Sequence, residues 1–437
     1  MSRIRLARCA VSTVGVVSVL TLVAACGGEG SPVGGSGGGG GATTGAGGEV
    51  TLEFAQWWEP ELPDNGLRGI MDDFEKANPG IKVKLLSGPY ASTKEQIVAG
   101  AAAKTMSDVV GLDGAWVNDF AKQQAITDLS AVMKTAGYDD SQLASQIQVD
   151  GKTFMIPVAN FVYPMFSNTD LLTKAGVTTV PSTRTEFAAA AKAVKDKGGA
   201  SGWVLPLSLE APNGIQNDVM SWVWASGGSM LKDGKPDLTN PEVKDVVTYI
   251  KGLWDAGVIA PGGLTMKEQD KVEEFTNGRV GMMIDSLAHV TLIRKNNPNL
   301  KFDISAIPAK DGYTGKRGMP YASWGIGIAE NSTHKAEAFK LVSYLLSKDV
   351  NAKLTTMANA FPGNKESVPD FVKSDAVFKK AFDIWNEGTP ANEFTGLPVA
   401  EQLMRSFDEN LQQVLGANMP IDEMLSTTQD AWVKEFK

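Results

Sequence analysis

Beyond residue 26 this chain has no cysteine: its two, Cys9 and Cys26, both fall near the start of a sequence of 437 residues. The remainder has no thiol for a disulfide, a thiolate metal site or a cysteine nucleophile. Histidine is almost as scarce. His289 and His334 lie far apart and no His-Glu-x-x-His occurs, so no metal and no cofactor is expected. His334 opens a helix in a polar setting, whereas His289 follows an apolar strand and could approach a cleft. Basic charge is also short. The formal net charge is −9, and because Arg3, Arg5 and Arg8 are the only charged residues before Cys26, a chain starting there carries −12. That balance argues against a nucleic-acid partner, whose phosphates require a basic face. The Gly-x-Ser-x-Gly elbow and the phosphate-binding loop are absent. Fifty acidic residues could supply a glycosidase pair by chance, but no pattern singles one out, and an enzyme is not expected.

A long apolar run is lacking as well. Cys9 to Ala25 is 17 residues, diluted by Ser12, Thr13, Ser18 and Thr21, which is short for a membrane span. With the basic start and the small Ala24 and Ala25, residues 1–25 read as an export signal. Val23-Ala24-Ala25-Cys26 resembles the lipobox of bacterial lipoproteins, which implies a lipid on Cys26 and anchoring to the extracytoplasmic face of the cell membrane. Residues 27–48 contain 13 glycines in 22 positions and read as a flexible tether of about 26 Å root-mean-square reach. The Gly35, Gly37, Gly40 match to a dinucleotide fingerprint is dismissed, because no strand precedes it and no helix follows.

From Glu49 onward strand and helix patterns alternate, the mark of an α/β fold. Val50–Phe54 alternates, then Leu67, Ile70, Met71 and Phe74 fall at helical spacing until Asn78-Pro79-Gly80. Ile81–Leu86 reads as a strand, Ser92 and Glu95 as a capping box for a helix to about Ala103, Asp108–Leu112 as a buried strand, and Trp116–Gln124 as a helix. Thr183 with Glu186, and Asn240 before Pro241, predict two further helix starts. The second helix carries a stripe of Val243, Val246, Val247, Ile250, Leu253 and Trp254. Helices close the chain around Ala400–Val414 and Ile421–Trp432.

Several ordered segments, among them "FAQWWEPELPDNGLRGIMDDFEKANPGIKVKL", "SDVVGLDGAWVNDFAKQQAITDLS", "IPVANFVYPMFSNTDLLTKAG", "FTNGRVGMMIDS" and "ASWGIGIAENSTHKAEAFKLVSYLLS", resemble the family 1 extracellular solute-binding proteins of ABC importers, the maltose-binding-protein-like group. The resemblance implies a two-lobed periplasmic-binding-protein fold with a hinge and an interlobe ligand cleft. It places residues 49–160 plus 278–330 in lobe 1, and 161–277 plus 331–437 in lobe 2. It also implies a monomer that hands a solute to the transmembrane subunits of an ABC permease.

A sugar offers a C–H face that lies on an aromatic ring and a rim of hydroxyls that both donate and accept, so its site needs rings together with Asp, Glu, Asn or Gln. Trp57, Trp58 and Glu59 follow the first strand at its carboxyl end, where open α/β sheets bind ligands, and Asp113 and Trp116 follow the buried strand likewise. One of the two paired tryptophans could equally face inward, and Trp116 could open the core stripe of its helix. Asn160 precedes the expected first crossing. From the second lobe, Glu210, Asn213 and Gln216 occupy a polar loop, and Trp222 or Trp224 starts the next helix, where only one can face the core. Asp285, Tyr321, Trp324 and Asn364 complete the candidates. The family pattern often has an aromatic soon after the position of Asp285 and an arginine where Asn364 stands, and this chain departs from both. The expected ligand is a carbohydrate of one to a few rings. A binding protein for another polar solute, such as a glycerophosphodiester, a lipid-anchored glycoside hydrolase, and a co-receptor that presents its ligand to a sensor kinase are the alternatives.

Overall fold

The computed structural model describes residues 49–436, so the expected export signal, Cys26 and the tether lie outside the described residues. Fourteen strands are present among the described residues: β1 Val50–Gln56, β2 Ile81–Ser87, β3 Val109–Leu112, β4 Ile147–Val149, β5 Lys152–Val162, β6 Met165–Asn168, β7 Ser201–Trp203, β8 Leu231–Lys232, β9 Lys235–Pro236, β10 Val280–Ile284, β11 Phe302–Ser305, β12 Gly318–Ile328, β13 Phe361–Pro362 and β14 Thr389–Ala391. They form two main sheets. The larger has the order β13-β5-β12-β3-β1-β2, with β4 on β5 and β14 on β12; the smaller has the order β11-β6-β10-β7. Strands β8 and β9 form a separate hairpin.

In the larger sheet β1 runs parallel to β2 and β3, so Gln56, Ser87 and Leu112 deliver their following residues to one edge. The amphipathic helix Gly66–Ala77 buries Leu67, Ile70, Met71 and Phe74 beneath the sheet, the stripe its spacing predicts. The helix Tyr90–Ala103 starts earlier than the predicted capping box requires, at Pro89 with no side-chain cap, and Ser92 turns back to the Pro89 carbonyl instead. The box at Thr183 and Glu186 does form, and the Asn240 side chain accepts from the Val243 amide at 3.0 Å. The stripe on helix Pro241–Asp255 is buried as read except for Trp254, which is half-buried at the helix end.

The chain divides between the sheets differently from the expected boundaries. Residues 278–330 do not return to lobe 1 as a block, because β10 pairs antiparallel with β6 and parallel with β7, and β11 also pairs with β6, all in the smaller sheet. Only β12 returns to the larger sheet, between β3 and β5. The helices Lys335–Leu345 and Lys348–Ala358, expected in lobe 2, bury Phe339, Leu341, Val342, Leu345 and Leu354 in the core of the larger sheet. Two further cores cover the faces of the smaller sheet, one under the helices Pro241–Asp255, Ala400–Ala417 and Ile421–Glu435, the other around Phe166, Phe275, Met283 and Phe378.

The lobes are joined where β5 and β12 lie side by side. Tyr163 N–H donates to the Pro320 carbonyl at 3.0 Å, and Tyr163-Pro164 leads directly from β5 into β6. Segments 306–317 and 363–370 also pass between the lobes, and β14, paired with β12, brings the chain back to the larger sheet between two helices packed in the smaller lobe.

Candidate functional site

The site on the larger lobe grows from the carboxyl ends of its parallel strands. Gln56 Nε2 donates to Ser87 Oγ at 2.6 Å, Ser87 Oγ donates to Glu59, and the Glu59 amide donates to Gln56 Oε1 at 2.9 Å. This ring of bonds holds Glu59 half-buried at the strand edge. Trp58 turns inward and is fully buried: its ring stacks on Trp324 at 5.5 Å and 8°, with Phe54 edge-on at 5.3 Å. Trp324 in turn takes the edge of Phe161 at 4.9 Å, next to a bulge between Trp324 and Gly325 where β12 slips against β5. These two indoles form a floor.

Above them Trp57, Tyr90 and Trp116 close a triangle of rings with centroids 5.2–5.5 Å apart. The tryptophans are nearly covered, whereas Tyr90 is 38% exposed and presents the accessible face. Its hydroxyl donates to Asp113 Oδ2 at 3.3 Å while Asp113 Oδ1 accepts from the Ala115 amide at 2.9 Å. Burial raises the Asp113 carboxyl above the usual range, opposed by those two donors. Lys94 lies 5.5 Å over the Trp116 ring and pairs with Glu401 from the other lobe. A groove of 530 Å³ runs between the lobes here, walled by Trp116, Phe120 and Lys94 on one side and Val399, Glu401 and Arg405 on the other.

The smaller lobe answers with buried charge. A π-helical turn, Ile215–Met220, presents Asn217 and Asp218 toward the helix Glu268–Thr276. Lys271, fully buried, lies 2.7 Å from Glu268, 3.1 Å from Asp218 and 3.8 Å from Asp285. Asn217 Nδ2 donates to Glu268 Oε1 at 3.0 Å, and His289 Nδ1 meets Asp285 Oδ2 at 2.9 Å. Burial alone would lower the Lys271 pKa, but attraction to Asp218, Glu268 and Asp285 outweighs it and holds the ammonium charged well above its ordinary range. The ammonium occupies the centre that a cation among these carboxylates would need, and no group of His, Cys, Asp or Glu suited to a metal occurs among the described residues. Tyr163, at the joint between the lobes, lies within electrostatic reach of Glu268 and Asp285 on one side and Asp113 on the other, so the two halves face one another.

A strap from Asn392 to Val399 adds contacts across the gap. Asn118 Nδ2 donates to the Gly396 carbonyl at 2.9 Å and the Gly396 amide donates to the Gly114 carbonyl at 3.0 Å. Gly114 permits this approach, since a Cβ there would stand 2.6 Å from Thr395. The strap is fixed to its own lobe by Phe394, packed on Trp432, and by Glu393, which accepts from Trp224 Nε1 at 2.6 Å and the Met230 amide at 2.8 Å.

The structure thus brings together Trp57, Glu59, Asp113 and Trp116 with Trp58 and Trp324 beneath them. Other candidates stand elsewhere. Trp222 is not a cleft residue: it is sealed among Phe187, Trp203 and Tyr249, and Trp224 is buried in the same core, because all four residues of the short helix Ser221–Trp224 are enclosed, so the expectation that only one of the pair faces the core does not hold. Asn364 is a structural staple, donating to Gln142 at 3.0 Å and the Leu346 carbonyl at 2.8 Å and accepting from the Glu366 amide, which commits both of its N–H donors. Tyr321 packs on Trp385 at the joint between the lobes. Glu210 and Asn213 are exposed, Glu210 paired with Lys267, and only Gln216 of that loop reaches the network, donating to Asn217 at 3.2 Å. Asp285 is fully buried behind His289. Asn160 donates to the Pro362 carbonyl at 3.1 Å, and its Oδ1 has no hydrogen-bond partner among the described residues, like the indole nitrogens of Trp58 and Trp116.

Tyr90, Tyr163, Lys271, Glu268 and Glu401 were not found from sequence. Tyr90 follows β2 at the same sheet edge as Trp57, so the strand-end rule covers it. Lys271 stands one turn from Phe275 on the buried face of its helix, and a lysine in an apolar stripe is a signal. A groove of 1030 Å³ between helices Leu129–Ala136 and Lys335–Leu345 is larger, but it lies past the far end of β12, away from these rings and acids.

Behind the network, Asp408 is fully buried, and burial raises its pKa well above the ordinary value, with Asp218 adding to the effect and the Ile215 amide opposing it. A raised folded-state pKa means stability present at low pH is lost as pH climbs from the unfolded value toward the folded one. Asp408→Asn removes that loss, and is expected to raise the melting temperature at pH 8 by more than at pH 5. Equal shifts at both, measured by thermal denaturation, would count against a buried acid with a raised pKa.

Two sheet-bearing lobes, joined by several crossings and facing each other across rings and acids, define a clamp-type binding protein. The chain belongs to the bacterial extracellular solute-binding protein family, whose profile matches residues 59–352. A binding protein of Brucella abortus is 30% identical over 324 residues, covering 73% of this chain and 77% of the relative. The diacetylchitobiose binding protein DasA of Streptomyces coelicolor is 24% identical over 381 residues, covering 85% of each. The cyclic alpha-maltosyl-1,6-maltose binding protein of Arthrobacter globiformis shares the fold, with a TM-score of 0.78 at 18% identity over 89% of this chain and all of that one.

Proposed function

We propose that this protein is the extracytoplasmic receptor of an ABC importer, capturing a carbohydrate between its lobes and delivering it, chemically unchanged, to a membrane permease. The observation that carries this is the Trp57–Tyr90–Trp116 triangle with the Asp113 carboxylate at its edge, a ring face beside a hydroxyl-matching acceptor. The named relatives that bind diacetylchitobiose and cyclic maltosyl-maltose support the ligand class.

The mechanism is a population shift. The open form admits the sugar onto Tyr90 and Asp113; contacts to both lobes then favour the closed arrangement, in which the strap meets Gly114 and Asn118 and Lys94 meets Glu401. The permease would read closure. Nothing in this cycle breaks a bond, so no catalytic group is assigned. A lipid on Cys26 and the glycine-rich residues 27–48 would hold a monomeric receptor near the permease.

Thermal-shift screening of residues 49–437 against maltotriose, diacetylchitobiose, galactobiose and their monosaccharides tests the ligand class, since a ligand that binds only the folded form raises its melting temperature. At least one oligosaccharide is expected to give a saturable rise. A rise with glycerophosphodiesters alone would replace the carbohydrate by another polar solute.

A further inference from the structure

We propose that His289 is the side chain through which the smaller lobe reads its ligand, with Asp285 as the positioning residue behind it; this rests on the carbohydrate function proposed above. The turn Leu287–His289 follows β10, and Ser286 Oγ accepts from the Ala288 amide to start it. Leu287 is buried while Ala288 packs against the core of the larger lobe, so the turn sits where the lobes meet. His289 emerges there with 32% of its side chain exposed, whereas Asp285 is sealed. Asp285 therefore cannot meet a ligand itself. Its Oδ2, 2.9 Å from His289 Nδ1, fixes the ring with a proton on Nδ1 and leaves Nε2, which makes no hydrogen bond among the described residues, free for a ligand.

The charged groups around this ring are Asp285 on its own turn and Glu268 and Lys271 on the helix Glu268–Thr276, with Asp218 of the π-helical turn behind Lys271 and the Tyr163 phenol within reach of Asp285. Attraction to Asp285 outweighs burial and the Lys271 charge and raises the His289 pKa above its ordinary value. Below that pKa, Nε2–H gives a charge-assisted bond to a sugar hydroxyl oxygen. Above it, Nε2 becomes an acceptor of a hydroxyl proton, a weaker contact that still permits binding. A neutral sugar does not titrate in this range, so a pH dependence of capture belongs to the protein.

The chain has one other histidine, His334, so ring resonances can be assigned with a His334→Gln control. The first arm is a histidine-ring NMR titration of the ligand-free protein: His289 is expected as the Nδ1–H form with a pKa above 6.5, falling in Asp285→Asn. The second arm takes an oligosaccharide positive in the thermal screen and measures Kd by calorimetry from pH 5.5 to 8.5. Wild type is expected to weaken about fivefold on rising pH, the difference between a charge-assisted and a neutral hydrogen bond. His289→Leu should bind more weakly at every pH with no slope, and His334→Gln should behave as wild type. If His289→Leu matches wild type in Kd and slope, or the ring is unaffected by Asp285→Asn, the proposal is overturned while the carbohydrate function stands. If no saccharide binds, the carbohydrate function fails and this role fails with it.

Discussion

Lys271→Met is expected to cost about 3–5 kcal/mol of stability, because it strips the ammonium shared by three carboxylates and leaves buried charge unpaired. On a lobe of this size that is a fall of about 5–15 °C in melting temperature. The loss has a sign in pH. Burial already raises the Asp218 carboxyl well above its ordinary value and Lys271 opposes that rise; without the ammonium Asp218 would hold its proton still more tightly when folded than unfolded, so the deficit grows as pH rises above the unfolded carboxylate range and shrinks near pH 4. Replacing Asp218 by Leu in the same chain should recover part of it, since removing both members of a buried pair costs less than removing one. Thermal denaturation at pH 4.5 and 7.5 decides this: equal losses at both, or none, would mean that Lys271 does not hold these acids.

Tyr90→Ala is expected to weaken saccharide binding by about 30-fold, near 2 kcal/mol, the range of an aromatic anchor at the centre of an interface. Because Tyr90 is 38% exposed, the variant should fold with little change in stability. Trp58→Ala should do the opposite. It empties a fully buried site between Phe54 and Trp324 and costs about 3–5 kcal/mol through the cavity it leaves. Calorimetric affinities beside melting curves for the two variants separate ligand platform from floor. Loss of binding in Trp58→Ala at unchanged stability, with Tyr90→Ala binding normally, would exchange their roles.

Much of this architecture was legible before any coordinates. The α/β alternation, the Thr183 capping box, the Asn240 cap and the placement of Trp57, Asp113 and Trp116 at strand ends all follow from local pattern, because strand order in a parallel sheet sends those ends to one edge. Lobe membership was not. Strand β10, Val-Gly-Met-Met-Ile, is buried at all five residues, so no face-to-face alternation says which sheet receives it. The same holds for helices Lys335–Leu345 and Lys348–Ala358, whose stripes specify burial but not against which core. Within the site, the Trp58–Trp324 stack joins residues far apart in the sequence, a pairing that the β1–β3–β12 strand order creates. Trp222 and Asn364 satisfied the composition of a sugar site while their surroundings committed them to the core and to a backbone network. Residue type identified what could bind; tertiary contacts decided what was left to do so.

The central claim, that the two lobes close on an intact neutral sugar, is tested most directly by calorimetric titration of the tether-free protein with an oligosaccharide that shifts its melting temperature, followed by recovery of the sugar. One-to-one binding is expected, with a negative heat-capacity change, little dependence on salt, and sugar recovered at its original length. Shortened sugar, or affinity that collapses with added salt, would contradict the account.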